Sequence, residues 1–388
     1  VERRTFSTLH LNPSRLADFA RIVTSPRRQL VGRLEFDVVL DAYSKEACSK
    51  YETPEEQAKN DKVFTEAVKA LFSYLSAWSE EEVSKNGLEL NILAYSPSDL
   101  FCTPTEERMN RIMMRYAQPA DLLSERFERS YLRLVSTGAS ASETLPDLPI
   151  ITRLHVGSRF FSGSPGPRLI WPGSASAIAL KLPRLQDLKL TLGDNEKRNL
   201  SLRKTARDEF RHGISSLPST IKSFSLYYPY ITPRNESFMP PDITPKGSGS
   251  DPLSNSLRTF SQQLTSIYIE HIVISSEFFW PLGSDAAPID PPHWPYLTTL
   301  NILFLPVTPS GQWLFERDPA EEVIDDEEDR TRDLSLHYEP ERLPPREDWY
   351  IDHFRRKPNE RLMNDFYLAI GRAVDNMPCL RELVLRAE

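Results

Sequence analysis

One short pattern recurs along the sequence and limits what it can fold into: apolar-x-x-apolar-x-apolar. It stands at Phe6/Leu9/Leu11, Val31/Leu34/Phe36, Ile151/Leu154/Val156, Leu185/Leu188/Leu190, Ile221/Phe224/Leu226, Leu264/Ile267/Ile269, Leu297/Leu300/Ile302 and Leu380/Leu383/Leu385. Weaker copies without the first apolar residue lie at Leu88/Leu90 and Leu132/Leu134. The last two apolar residues of each copy are two apart, which puts both side chains on one face of a β-strand. Pro149, Pro183, Pro295 and Pro378 each precede the central apolar residue by five positions, and Pro218 precedes Phe224 by six. Proline there ends a preceding helix and presets an extended entry to the strand.

Between the copies the spacing turns helical. Asn12-Pro13 reads as an N-cap and first turn, followed by Leu16, Phe19, Ala20 and Val23 on one stripe. Phe64, Val68, Leu71, Leu75 and Trp78 follow Thr53-Pro54-Glu55-Glu56 at helical intervals, and Leu362, Phe366, Ile370, Val374 and Met377 form a third stripe. The expected fold class is α/β: an irregular leucine-rich-repeat-like solenoid, a horseshoe with parallel strands on the concave face and helices outside. One unit buries about three strand side chains at ~1.5–3 kcal/mol each, less than the ~1–2 kcal/mol per residue needed to order its backbone. A lone unit therefore does not fold, and residues 1–388 are expected to form a single array.

Long insertions (38–54, 95–118, 227–252 and 306–358) leave from the expected carboxyl ends of strands. Segment 229–252 reads as a flexible Pro/Gly/Ser loop. Segment 306–358 reads as an insertion that carries an acidic, disordered stretch, 318–333, with Asp325-Asp326-Glu327-Glu328-Asp329 at its centre. Trp280, Trp294 and Trp313 are expected as core staples at this rim.

The charge balance, 47 Lys+Arg against 55 Asp+Glu for a net −8, argues against a general nucleic-acid or anionic-membrane binder. No apolar run approaches the ~18 residues of a membrane span. Three cysteines (Cys48, Cys102, Cys379) imply no disulfide framework, so an intracellular, cytoplasmic or nuclear location is expected. The sequence opens at Val1 with no signal-peptide pattern and no initiator Met, which reads as a fragment of something longer. The seven histidines and three cysteines have no metal-ligand spacing. No nucleophile elbow, P-loop or dinucleotide fingerprint is present, and Gly163-Ser164-Pro165-Gly166 and Gly247-Ser248-Gly249-Ser250 read as turns. Arg27-Arg28, Lys197-Arg198, Arg203-Lys204 and Arg355-Arg356-Lys357 read as solvated helix faces. Neither a cofactor nor a metal is expected, and the chain reads as a non-enzyme.

If the triplets point inward, the intervening residues point outward onto the concave sheet. The expected partner-binding residues are Arg33, Glu35, Asp37, Glu89, Arg153, His155, Lys189, Tyr227, Tyr268, Glu270 and Asn301, accompanied by Thr8, His10, Asn91, Asp187 and Ser225. The row is polar, mixed in sign and contains Tyr and Arg, types favoured at interface hot spots.

Several stretches carry a resemblance: Ile274-Ser-Ser-Glu-Phe-Phe-Trp-Pro281, Asp251-Pro-Leu-Ser254, Ser261-Gln-Gln-Leu264, His293-Trp-Pro-Tyr-Leu297, Thr308 to Pro319, Leu71-Phe72 with Leu75-Ser76-Ala77-Trp78, and Tyr95-Ser-Pro-Ser-Asp99. Together they resemble a fungal family in which an N-terminal F-box precedes a leucine-rich-repeat-like region. The resemblance implies the substrate-recognition region of an F-box-type receptor for a cullin–RING ubiquitin ligase, with a protein client on the concave face. The ligase adaptor would be a partner only through an F-box upstream of Val1, because no F-box helices stand in this sequence. A stand-alone leucine-rich-repeat scaffold with no ubiquitin role is the second reading. A hydrolase using Asp352-His353, near Asp348, is the third.

Overall fold

In the computed structural model, which describes residues 2–44, 46–47, 51–102, 130–135, 145–157, 168–194, 199–230, 232–233, 236–247, 249–281, 291–318 and 355–387, the proline-marked positions open tight turns. Ile151 N–H donates to Leu148 O at 3.3 Å, Leu185 N–H to Leu182 O at 3.0 Å and Leu380 N–H to Met377 O at 3.1 Å. Proline holds the second place of each turn, where its fixed φ is favoured. The first apolar residue of the triplet is the fourth, and the strand follows.

The strands are β1 (Thr8–Leu11), β2 (Arg33–Val39), β3 (Leu88–Tyr95), β4 (Tyr131–Leu132), β5 (Ile151–Val156), β6 (Leu169–Ile170), β7 (Asp187–Thr191), β8 (Ser223–Tyr227), β9 (Ser266–Ile272), β10 (Thr299–Phe304), β11 (Phe315–Arg317), β12 (Arg355–Pro358) and β13 (Glu382–Ala387). Nine of them form one sheet in the order β1-β2-β3-β5-β7-β8-β9-β10-β13. Every pairing in it is parallel, and the central triplet residues run in register: Leu9, Leu34, Leu90, Leu154, Leu188, Phe224, Ile267, Leu300, Leu383. From Leu34 to Leu300 each is at most 2% exposed.

The helices are α1 (Glu2–Phe6), α2 (Leu16–Ile22), α3 (Ser25–Arg28), α4 (Pro54–Leu75), α5 (Pro172–Ala179), α6 (Leu200–Ser215), α7 (Pro252–Ser261) and α8 (Glu360–Val374). Helix α4 starts with a full capping box: Thr53 Oγ1 accepts from Glu56 N–H and Glu56 accepts from Thr53 N–H. Its Phe64, Val68, Leu71 and Leu75 are buried against the sheet's apolar layer. Helices α5 and α6 approach so closely that a Cβ on Gly213 would lie 2.3 Å from Ser176 Cβ, a contact only glycine permits. No helix among the described residues is long and apolar enough to cross a membrane.

The fold class read from the sequence needs correction. The described residues form an α/β fold on a large central parallel sheet of nine strands with eight helices, and not a leucine-rich-repeat horseshoe. A repeat array restacks one unit, whereas the crossovers here differ in kind. Between β2 and β3 runs a helix of 22 residues. Between β9 and β10 the described residues hold only a 3-10 turn, Ser276–Phe278. Two small sheets, parallel β4–β6 and antiparallel β11–β12, interrupt the series. The weak copy at Leu132 falls in β4, outside the main sheet, and Phe6 ends α1. In-register apolar residues are common to any parallel sheet wound in sequence order, which is why the pattern suggested a repeat that the crossovers do not have.

The three tryptophans are buried as expected; Trp294 donates to Ser261 Oγ at 2.7 Å and Trp313 to Phe238 O at 2.9 Å. The 229–252 loop is tied down by Ile243 N–H donating to Pro309 O at 2.8 Å and by burial of Tyr230 and Ile243 beside Val307 and Trp313. Apart from Asp318, the acidic stretch 318–333 lies outside the described residues. So do Asp348, Asp352-His353, Gly163–Gly166 and Lys197-Arg198.

Candidate functional site

Because side chains alternate across a strand, the register that buries one row of residues aligns two rows on the other face. The row nearer the amino ends reads Thr8, Arg33, Glu89, Arg153, Asp187, Ser223, Ser266, Thr299, Glu382. The next reads His10, Glu35, Asn91, His155, Lys189, Ser225, Tyr268, Asn301, Val384. Asp37, Tyr227 and Glu270 stand one step further along their strands. The structure thus brings all the partner-binding candidates onto one face of one sheet. Arg33, Arg153, Lys189 and Tyr268 are exposed; Glu35, Asp37, Glu89, His155, Tyr227, Glu270 and Asn301 are half-buried.

The face has two chemistries. From β1 to β7 it carries an ionic ladder: His10 Nδ1–Glu35 at 3.0 Å, Arg33 Nε–Glu89 at 2.9 Å, Arg33–Glu35 at 4.0 Å and Arg153 Nε–Glu89 at 3.7 Å. Partial burial raises the pKa of Asp187 above the ordinary carboxylate value, against Arg153 and Lys189 and with help from Glu89. Burial likewise raises Asp37, opposed by His10 and assisted by Glu35. From β8 to β10 the face is mostly uncharged, with Ser223, Ser225, Ser266, Thr299, Asn301 and two tyrosines, and Glu270 as its one carboxylate among the named positions.

One residue here escaped the sequence reading. The β9–β10 register shifts between Leu303 and Phe304, and the extra residue, His271, sits at φ +58°. A left-handed non-glycine residue in a bulge re-aims its side chain, and the His271 ring packs edge-on against Tyr227 at 5.0 Å. Alternating strand residues give no sign of a bulge.

Also missed were two buried ionic clusters at the carboxyl ends of the strands. In the first, Arg168 reaches Asp99 and Glu52, each at 3.1 Å, with all three side chains at most 2% exposed. Asn60 and Ser130 donate to Glu52, and Tyr43 OH donates to Asp99 at 2.7 Å. In the second, Arg203 pairs with Asp194, and Arg207 pairs with Asp194 at 3.3 Å and Asp251 at 3.4 Å. Burial alone would lower the Arg207 pKa, but Asp251 and Asp194 outweigh it and hold it above its usual value. Arg203 also lies 3.8 Å over the Tyr230 ring. The reading of Arg203 as part of a solvated face is corrected: it occupies the first turn of α6, which faces the loop after β7. Beside the first cluster, burial pushes Asp61 up to about 6, although it accepts a 2.7 Å hydrogen bond from Arg133 N–H.

On the helix side, Arg133, Leu134, Trp171, Leu180, Glu209 and His212 line a groove of about 770 Å³. Arg133 stacks 3.9 Å over Trp171, whose indole N–H donates to Glu209. Among the described residues no group of three or more His, Cys, Asp or Glu side chains could hold a metal ion. No protein-family model matches this chain, and a search of curated proteins finds no similar sequence.

Proposed function

We propose that this chain is a non-enzymatic protein-binding module that recognises a protein client on the open face of its parallel sheet. The observation that carries the reading is the exposure of that face. Sheets made only of parallel strands are ordinarily covered on both sides, yet among the described residues one side carries a polar and aromatic row in which Arg33, Arg153, Lys189 and Tyr268 are exposed. An extended, rigid surface with Arg and Tyr at its exposed positions suits a folded or extended polypeptide better than a small molecule, which favours a concave apolar pocket.

The resemblance to the fungal F-box-associated family supplies the setting: an intracellular receptor, cytoplasmic or nuclear, that positions a client for a cullin–RING ubiquitin ligase while other subunits do the chemistry. Neither nucleic acid nor membrane enters this reading as a partner. The test is affinity capture from the source cells with the protein at its natural length, in parallel with an Arg153→Ala/Lys189→Ala/Tyr268→Ala variant of unchanged melting temperature. The reading expects a client that the variant loses, and a ligase adaptor that both retain. A client held equally by the variant would remove the open face from the function. Absence of the adaptor would remove the ubiquitin setting and leave the binding module.

A further inference from the structure

The basic pair Arg27-Arg28 is not a free solvated face. Arg27 turns toward α1, where its guanidinium lies 3.2 Å from Glu2 and 5.2 Å over the Phe6 ring. Arg28 turns the other way, to the connection between α4 and β3. It pairs with Glu82 at 2.6 Å and lies 5.1 Å over the Trp78 ring, which stacks on Phe19 at 5.6 Å. The Ser25 hydroxyl donates to the same carboxylate. That bond first, then those from Ser79 N–H and Arg28, holds the Glu82 carboxyl down at about 2. Arg28 Nε is buried and has no partner among the described residues. Ser25 and Arg28, three apart on the single turn of α3, thus share one face and one partner.

The same stretch is built as a kinase substrate. Ser25 is exposed, and α3 contains no buried residue, so this turn opens locally at low cost. Among the Ser-Pro and Thr-Pro pairs of the sequence, only Ser25-Pro26 is followed by two basic residues. That charge pattern is one by which a proline-directed protein kinase selects its substrate.

We propose that Ser25 is a modification site for a proline-directed protein kinase, and that the phosphate it receives takes Arg28 from Glu82. In the transfer, Ser25 Oγ forms a bond to the γ-phosphorus of ATP and the bond from that phosphorus to the β–γ bridging oxygen breaks. ADP leaves, and the hydroxyl proton passes to the base of the kinase. Phosphoserine carries about −1.5 to −2 charge and three acceptor oxygens. Glu82 thereby loses a hydrogen-bond donor and gains a like-charged neighbour. The Arg28 guanidinium turns to the phosphate, which also gives Nε an acceptor. Glu82 has then lost both of its ties to α3, Ser25 and Arg28. The proposal is independent of the client-binding reading above.

The test incubates the full chain with a proline-directed Ser/Thr kinase and ATP, and locates the phosphate by peptide mass spectrometry. Modification is expected at Ser25 and should be absent from that peptide in Ser25→Ala. A phosphorus NMR titration of the modified chain then reads the exchange. Contact with Arg28 should hold the second phosphate pKa ~1 pH unit below the ~6 of free phosphoserine. Arg28→Gln, which leaves Pro26 and Arg27 for the kinase, should raise it again by that amount. Glu82→Gln, which removes the competitor, should lower it further. An unmodified Ser25, or modification of the buried Thr244 in its place, would overturn the assignment. A second pKa that neither variant moves would show that the guanidinium stays with Glu82, and would overturn the exchange.

Discussion

The ionic ladder on the open face and the ionic clusters at the strands' carboxyl ends are built from the same groups, arginine with aspartate or glutamate, at similar distances. Arg33–Glu89 is 2.9 Å with side chains 46% and 20% exposed; Arg168–Asp99 is 3.1 Å with both at 1%. Water decides the difference. On the open face the groups remain partly solvated, so each can exchange its partner for another charge at little cost. In the rim clusters each ion has lost its hydration, a penalty of several kcal/mol that only its partners offset. The rim therefore ties the loops after β2 and β3 to Arg168 just before β6, and ties the loop after β7 and the start of α7 to α6.

Three substitutions probe that contrast. The largest effect belongs to Arg207→Ala, which strands Asp251 and part of the Asp194 charge in the interior. Chemical denaturation should show a loss of ~3–5 kcal/mol, whereas a loss below ~1 kcal/mol would mean the cluster is hydrated like the ladder. Asp61→Asn comes next. With a folded pKa of about 6, above its ordinary 3.8, Asp61 keeps a proton in the folded chain that the unfolded chain has already released. Its contribution to stability is therefore greatest below pH 4, falls as pH rises to 6, and is flat above. Relative to wild type, the Asn variant should gain on the order of 1 kcal/mol between pH 4 and pH 7, after allowance for the partial exposure of Asp61; a pH-independent difference would place the titration elsewhere. The smallest effect is expected for Glu89→Ala at the hub of the ladder. Thermal unfolding should register ~0–1 kcal/mol, less in high salt, while client binding weakens by more.

The strands were readable because their signal is local. A pair such as Leu188/Leu190 needs only the period of a β-strand to declare a face, and Pro183 declares the turn before it. Helices α2, α4 and α8 were readable for the same reason, since their buried residues repeat at helical spacing. The composition of α5, Pro-Gly-Ser-Ala-Ser-Ala-Ile-Ala, offers no apolar stripe, and its small residues make sense only once α6 is seen packed against it. Arg203 misled for a related reason, and Arg207 went unremarked: an arginine facing a buried aspartate looks like any solvated arginine until the aspartate is located. Asp194 precedes Arg207 by 13 residues and Asp251 follows it by 44, and neither spacing announces a contact.

The sequence by itself determined the strands of the main sheet, their register up to the bulge at His271, and the alternation that gathers Arg33, Glu89, Arg153, His155, Lys189 and Tyr268 on one face, because these follow from neighbours a few residues apart. Tertiary structure decided that the crossovers differ and that two ionic clusters close the rim. Those outcomes depend on which distant segments exclude water from one another, and burial is a property of the assembled chain.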